Sequence, residues 1–262
     1  MNSRRTHSDA PNYSAILWDN DGVLVDTERL YFQATQEMFA GVGVDLTAQH
    51  YFEYFLMRSK GTSKFAAAHG LSEADIAAMQ GVRNGRYLQL LENEPITISG
   101  VRETLITLRP HFLMGIVTSS RRRHFETMHR RTGLLELFDF AVTLDDCAQS
   151  KPAPDPYLAA GVRSGFPARR CLAIEDAPRG LIAARAAALD CWVIPTELAR
   201  PAEFTGATRV LDRIADVAAL LLDGVLADAT GWPAAQFDSL YAGRRSNETW
   251  SGRRGTTGGR TS

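Results

Sequence analysis

The sequence predicts an α/β fold, a doubly wound parallel sheet with an all-helical insertion after its first strand. Three observations predict it. Short apolar runs that end in polar or acidic residues recur along the chain, as buried parallel strands do. Helical patterns lie between these runs, so strand and helix alternate, and right-handed crossovers then place helices on both faces of the sheet. The alternation breaks once, from about Arg29 to Glu94, where the pattern is helical throughout.

The first strand is AILW at 15–18, which runs into Asp19 and a turn at Gly22. The helical patterns LYFQATQEMFAGVG, TAQHYFEYFLM and SEADIAAMQGVRNGRYLQLLE follow, and they assign residues 29–96 to a cap domain with hinges near Thr27 and between Pro95 and Gly100. VRETLITLR, opening after Gly100, is a helix that leads into the strand FLMGIVT at 112–118. RRRHFETMHRRTG, closing on Gly133, precedes a strand candidate, FDFAVT at 138–143. DPYLAAGVRSG closes on Gly165 before the strand CLAIED at 171–176, and RGLIAARAAAL precedes the strand CWVIP at 191–195. The α/β core therefore comprises residues 14–28 and 97–225, and residues 226–262, rich in Gly, Ser, Thr and Arg, are expected to be disordered.

Composition limits the function classes. With 29 basic against 30 acidic residues the net charge is −1, which offers no global attraction to nucleic acid or to an anionic membrane. The longest apolar runs fall well short of the roughly 20 residues that span a bilayer, and the first residues lack the apolar middle of a secretory signal, so a cytoplasmic enzyme is expected. Three cysteines without CxxC or Cys/His spacing point away from a disulfide framework or a structural zinc site, and Cys171 and Cys191 read as small buried hydrophobes.

In open α/β sheets ligands bind at the carboxyl ends of the strands, so the polar residues capping the apolar runs are where chemistry is sought. Asp19 and Asp21 lie two apart past the first strand, a spacing that turns both toward one side in extended chain. An isolated DxD pair is more often a turn that caps a helix. A second acidic pair, Glu175 and Asp176, ends another buried run, and carboxylates from two strand ends make the hard oxygen site that magnesium prefers. Thr118 and Ser119 end a third run and offer hydroxyl donors, while Lys151, held by Pro152 and Pro154, offers a cation. Positioned donors and positive charge are what phosphoryl transfer requires.

These four segments, ILWDNDGVLVDTE, VTSS, SKPAPDPY and IEDAPRG, occur in order with a helical insertion after the first, and they closely resemble the signature motifs of the haloacid dehalogenase superfamily. The resemblance covers about residues 14–225 and is to the helical-cap branch that includes phosphoglycolate phosphatases, sugar-phosphate phosphatases and beta-phosphoglucomutase. It implies a Rossmann-like core and a Mg2+-dependent phosphatase of small phosphorylated metabolites, with a beta-phosphoglucomutase-type mutase as the alternative. Asp19 would be the nucleophile and a metal ligand. Asp21 would be the general acid and then base, lending its backbone carbonyl to the metal. Asp176 would complete the metal site, with Glu175 as ligand or support, and Thr118, Ser119 and Lys151 would hold the transferring phosphate.

The resemblance also makes Asn20, Thr27, Arg58, Lys60, Ser120 and Arg121 substrate-side candidates. Asn20 stands where relatives more often carry an aromatic or aliphatic residue. Thr27 lies at the first hinge, where it would orient Asp21, and Arg121 follows the TSS turn, where a cation would reach substrate phosphate. Arg58, Lys60 and Lys64 read as a loop around Gly61 facing the site, which would suit an anionic head group. Arg179 reads as structural, and the helical His124 and His129 as not catalytic.

Overall fold

The computed structural model describes residues 13–57 and 61–228. Residues up to Leu221 form one compact unit, which holds the sheet, the helical insertion and the pocket. From Leu222 only the end of the last helix is described, so the expected disordered tail lies outside the described residues beyond Asp228.

The strands are β1 (Ala15–Trp18), β2 (Leu113–Val117), β3 (Phe140–Val142), β4 (Cys171–Glu175), β5 (Asp190–Val193) and β6 (Arg209–Val210). They form one sheet in the order β3-β2-β1-β4-β5-β6, parallel throughout. β1, β2 and β4 are buried at every residue, because helices cover both faces, and this is why they read as unbroken apolar runs rather than alternating ones. Burying each Ile or Leu of these strands contributes about 1.5–3 kcal/mol. β6, only two exposed residues at the edge, is too short for any periodicity and was not anticipated from the sequence.

The helices are α1 (Glu28–Ala40), α2 (Ala48–Tyr51), α3 (Gly61–Ala68), α4 (Glu73–Asn93), α5 (Val101–Leu108), α6 (Arg122–His129), α7 (Asp155–Ser164), α8 (Pro178–Ala186) and α9 (Ala215–Asp228). A π-helical turn, Phe52–Leu56, continues α2. α1 to α4 fill the interval between β1 and α5, and the described residues there contain no strand beyond isolated bridges from Asp21 to Val25 and from Val25 to Thr97. Ser72 starts α4 with a capping box, its hydroxyl accepting from Asp75 N at 3.2 Å, which satisfies an amide the helix cannot. An aromatic core of Phe39, Tyr51, Phe55 and Phe65 gives the insertion its own interior. Lys64 lies within α3, not in a loop: the Ala-rich FAAA segment is good helix former and Phe65 buries against that core. Arg58 and Lys60 fall outside the described residues. Among the described residues no helix is long and apolar enough to cross a membrane.

β1 lies where the order of connection reverses, with β2 on one side and β4 on the other. The crevice at such a switch point opens above the carboxyl ends of these strands. Asp19 follows β1, Thr118 follows β2 and Asp176 follows β4.

Candidate active site

Asp19 leaves β1 with its N–H bonded to the Ile174 carbonyl of β4, which fixes its position beside the acidic end of that strand. Lys151, 3% exposed, arrives from the loop before α7. Its ammonium donates to Asp19 Oδ1 at 2.5 Å, Glu175 Oε1 at 2.7 Å and the Val117 carbonyl at 2.8 Å, so all three of its protons are used. Tyr157 of α7 also donates to Glu175 Oε1, at 2.5 Å, and its ring lies beneath the ammonium. Glycine is required at two places around this cluster. A Cβ at Gly180 would stand 1.8 Å from Glu175 Oε2, and one at Gly22, whose φ is +88°, would stand 2.3 Å from Asp176 Oδ2.

Oxygens of Asp19, Glu175 and Asp176 come within 4.8 Å of one another, all three residues buried. Burial pushes the Asp19 carboxyl up to about 7; Lys151 pulls it down, while Glu175 and Asp21 push it further up. Asp176 is held well above the usual carboxylate range by burial and by the charges of Asp19, Glu28 and Glu175. The Lys151 ammonium is lowered by burial, but Asp19 and Glu175 outweigh this and leave it firmly charged. Asp176 Oδ2 is buried with no hydrogen-bond partner among the described residues. Buried negative charge that one lysine does not neutralise, together with an orphaned carboxylate oxygen, fits a hard divalent cation.

Asp21 is held differently. Thr27 donates to its Oδ1 at 2.7 Å, and Thr118 and Ser120 each donate to Oδ2 at 3.0 Å. Thr118, expected at the phosphate, is fully buried: its hydroxyl donates to Asp21 and accepts from Ser120 N, and it is not among the residues lining the pocket. Ser119 does line the pocket, and its buried hydroxyl has no partner in the structure. Ser120 and Arg121 line it as well. Thr27, fully buried, orients Asp21 rather than meeting a ligand. The three arginines at the start of α6 are balanced by Asp145, which accepts from Arg122 N at 2.7 Å, and by Asp146, which pairs with the Arg122 side chain at 2.8 Å.

Asn20 is turned away from the pocket. It is fully buried against α6, with Oδ1 2.7 Å from His129 Nε2 and Nδ2 3.2 Å from Met128 Sδ. Burial lowers His129 from 6.5 to about 4, so it is neutral in the fold. Between those two values the unfolded chain binds a proton that the folded chain refuses, and stability falls as pH falls. In urea melts the wild type is therefore expected to lose about 2 kcal/mol more than His129→Gln between about pH 7 and pH 5. Equal losses would show that His129 titrates normally.

The opposite wall comes from the helical insertion, and the cavity between them measures about 360 Å3. Tyr31 of α1, Thr62 and Ser63 of α3, and Arg83, Asn84 and Tyr87 of α4 line it. Arg83 is 7% exposed and donates to the Thr62 hydroxyl at 3.0 Å, to the Tyr31 hydroxyl and to Asn84 Oδ1, while lying over the Tyr31 ring. Buried Glu28, at the start of α1, accepts from the Tyr51 hydroxyl and faces Arg179 at 3.9 Å. Arg179, read from the sequence as structural, thus lines the pocket beside Asp176. Sequence reasoning missed this wall; the one signal that could have found a member of it is Arg83, a charge that shares the core-facing side of α4 with Ile76, Tyr87, Leu90 and Leu91.

The haloacid dehalogenase-like hydrolase family profile matches residues 16–194. Protein CbbY of Rhodobacter capsulatus is 32% identical over 206 residues, covering 74% of this chain and 90% of the relative. Fructose-1-phosphate phosphatase YqaB of Escherichia coli (strain K12) is 30% identical over 183 residues, covering 68% and 94%. The crystal structure of a CbbY mutant from Rhodobacter sphaeroides in complex with xylulose-(1,5)bisphosphate matches with a TM-score of 0.68 at 30% identity, covering 78% of this chain and 96% of that one.

Proposed function

The chain belongs to the haloacid dehalogenase-like hydrolases and is a phosphatase, and on that premise we propose that it hydrolyses a small phosphorylated sugar with Mg2+, through an aspartyl-phosphate on Asp19. The observation that carries this reading is the buried set Asp19, Glu175 and Asp176, crossed by Lys151 and left with an unpartnered Asp176 oxygen. Asp19, Asp176 and the Asp21 backbone carbonyl would hold the metal, with Glu175 behind them anchoring Lys151. Bound magnesium supplies the positive charge that lets a phosphate dianion approach an anionic carboxylate.

The chain's own residues do the rest. Lys151, exchanging its bond to Asp19 for one to a phosphoryl oxygen, and the Ser119 hydroxyl hold the phosphoryl oxygens while a carboxylate oxygen of Asp19 forms a bond to phosphorus. The ester bond breaks, and Asp21 gives its proton to the leaving sugar oxygen. Asp21 then takes a proton from water as the water oxygen attacks phosphorus, the bond to Asp19 breaks and inorganic phosphate leaves. Arg83, Arg121 and Arg179 give the pocket a cationic face suited to an anionic sugar.

A panel of sugar monophosphates and bisphosphates, assayed for phosphate release with magnesium and with chelator, tests this. Release is expected to fall at least about 100-fold on chelation and to return with added magnesium. Undiminished activity in chelator would remove the metal from the reading. Interconversion of sugar 1-phosphates without net release would replace water by a sugar as the acceptor.

A further inference from the structure

A carboxylate that must give a proton and then take one back is only as effective as its orientation, so the groups that hold Asp21 govern the rate. Thr27, Thr118 and Ser120 hold it through hydroxyl groups. A fourth donor is Asn20 Nδ2, 3.3 Å from Asp21 Oδ2. Asn20 is wholly buried, and a buried amide at this place is costly unless each of its groups is satisfied.

The bonds around Asn20 fix one another's direction. Asp21 Oδ2 already accepts from Thr118 and Ser120, and an ionised carboxylate only accepts, so the amide nitrogen is the end that faces it. The amide oxygen then faces His129 Nε2 at 2.7 Å and requires a donor, which places the imidazole proton on Nε2. His129 Nδ1, left with its lone pair, accepts from the Thr132 hydroxyl at 3.0 Å, and Thr132 Oγ1 accepts in turn from Leu134 N at 3.3 Å. Burial keeps the ring neutral, as this chain of bonds needs.

We propose that Asn20 and His129 are positioning residues for Asp21, a buried hydrogen-bonded chain that runs from the C-terminal end of α6 through the amide to the carboxylate and holds it from behind the pocket. The chain touches neither substrate nor metal. It acts by restricting Asp21 to the orientation in which its proton reaches the leaving oxygen. The inference rests on the reading of Asp21 as acid and base given above.

His129→Leu and Asn20→Leu, singly and together, with His129→Gln as the conservative variant, are compared on a hydrolysed sugar phosphate and on para-nitrophenyl phosphate. The nitrophenolate leaves as a stable anion and needs no proton from Asp21. For the sugar phosphate each Leu variant is expected to lower kcat about 10- to 100-fold with KM within about threefold, part of what positioned acid–base catalysis supplies. Single-turnover release of nitrophenolate is expected to change less than about threefold. The double variant is expected to be no worse than either single one, and glutamine, which presents a donor in place of Nε2–H, to recover most of the loss.

Wild-type kcat in a folded Leu variant, equal losses on both substrates, or losses that multiply in the double variant would each overturn the proposal. If His129→Leu does not fold, Asn20→Ala, which leaves α6 intact, carries the same comparison. A wild-type protein inert toward both phosphates overturns the phosphatase reading and this inference with it, whereas an active wild type with unaffected variants overturns the inference alone.

Discussion

Asp19→Asn is expected to leave a folded protein whose phosphate release from every substrate is lower by at least about 1,000-fold, or roughly 4 kcal/mol of transition-state stabilisation. The amide keeps the shape of the carboxylate and can still accept from Lys151, but it is too poor a nucleophile to take the phosphoryl group. Its effect on stability should run the other way. Asp19 sits beside Glu175, Asp176 and Asp21, and burial with the charges of Glu175 and Asp21 already pushes its carboxyl to about 7. Making the side chain neutral relieves that repulsion, while Lys151 keeps Glu175 as a partner at 2.7 Å. In metal-free protein the melting temperature should therefore be unchanged or raised. Thermal unfolding beside a phosphate assay checks both halves. Retention of more than about a tenth of the activity would remove Asp19 from the role of nucleophile.

Lys151→Met should damage both properties together. Its ammonium, 3% exposed, joins Asp19, Glu175 and the Val117 carbonyl, and no other cation bonds to Glu175 among the described residues. Methionine fills the space but leaves two buried carboxylates facing each other, and breaking a buried pair from one side typically costs 3–5 kcal/mol. For a domain of this size that is a fall in Tm of about 10 °C. Activity should drop at least about 100-fold, because the phosphoryl oxygens lose their protein cation. The double variant Lys151→Met with Glu175→Gln separates the two effects, since the neutral amide removes the stranded charge. Stability is expected to recover by about 2 kcal/mol or more without recovery of activity. Parallel recovery of both would mean that Lys151 serves only the fold.

The order of strands and helices was legible because it depends on patterns within a few residues. AILW, FLMGIVT and CLAIED are continuous apolar runs because both faces of a parallel sheet are covered, and polar residues stand at the carboxyl end of each. The meeting of Asp19 with Glu175 and Asp176 was legible for the same reason, because the ends of the neighbouring strands β1 and β4 lie side by side, whereas Lys151 joins them from the loop before α7. α3 was read as loop because a short helix beginning at a glycine shows little periodicity, and β6 was missed because two residues show none.

What each side chain does at the site is another matter, and there only the tertiary structure decided. Thr118 donates to Asp21 across 97 residues of chain, Ser120 across 99, and Asn20 meets His129 across 109. Such pairings depend on strand register and on how α6 packs behind β1, which no local spacing encodes. So it is that a threonine expected on phosphate holds the acid instead, an asparagine expected toward the substrate faces inward, and Glu28, Arg83 and Arg179 become walls of the pocket. By itself the sequence determined the chemistry-bearing residue types and the strand ends that carry them, because hydrophobic burial and turn geometry act locally. The folded chain decided which donor faces which acceptor, because a hydrogen bond is made or lost within about half an ångström of packing.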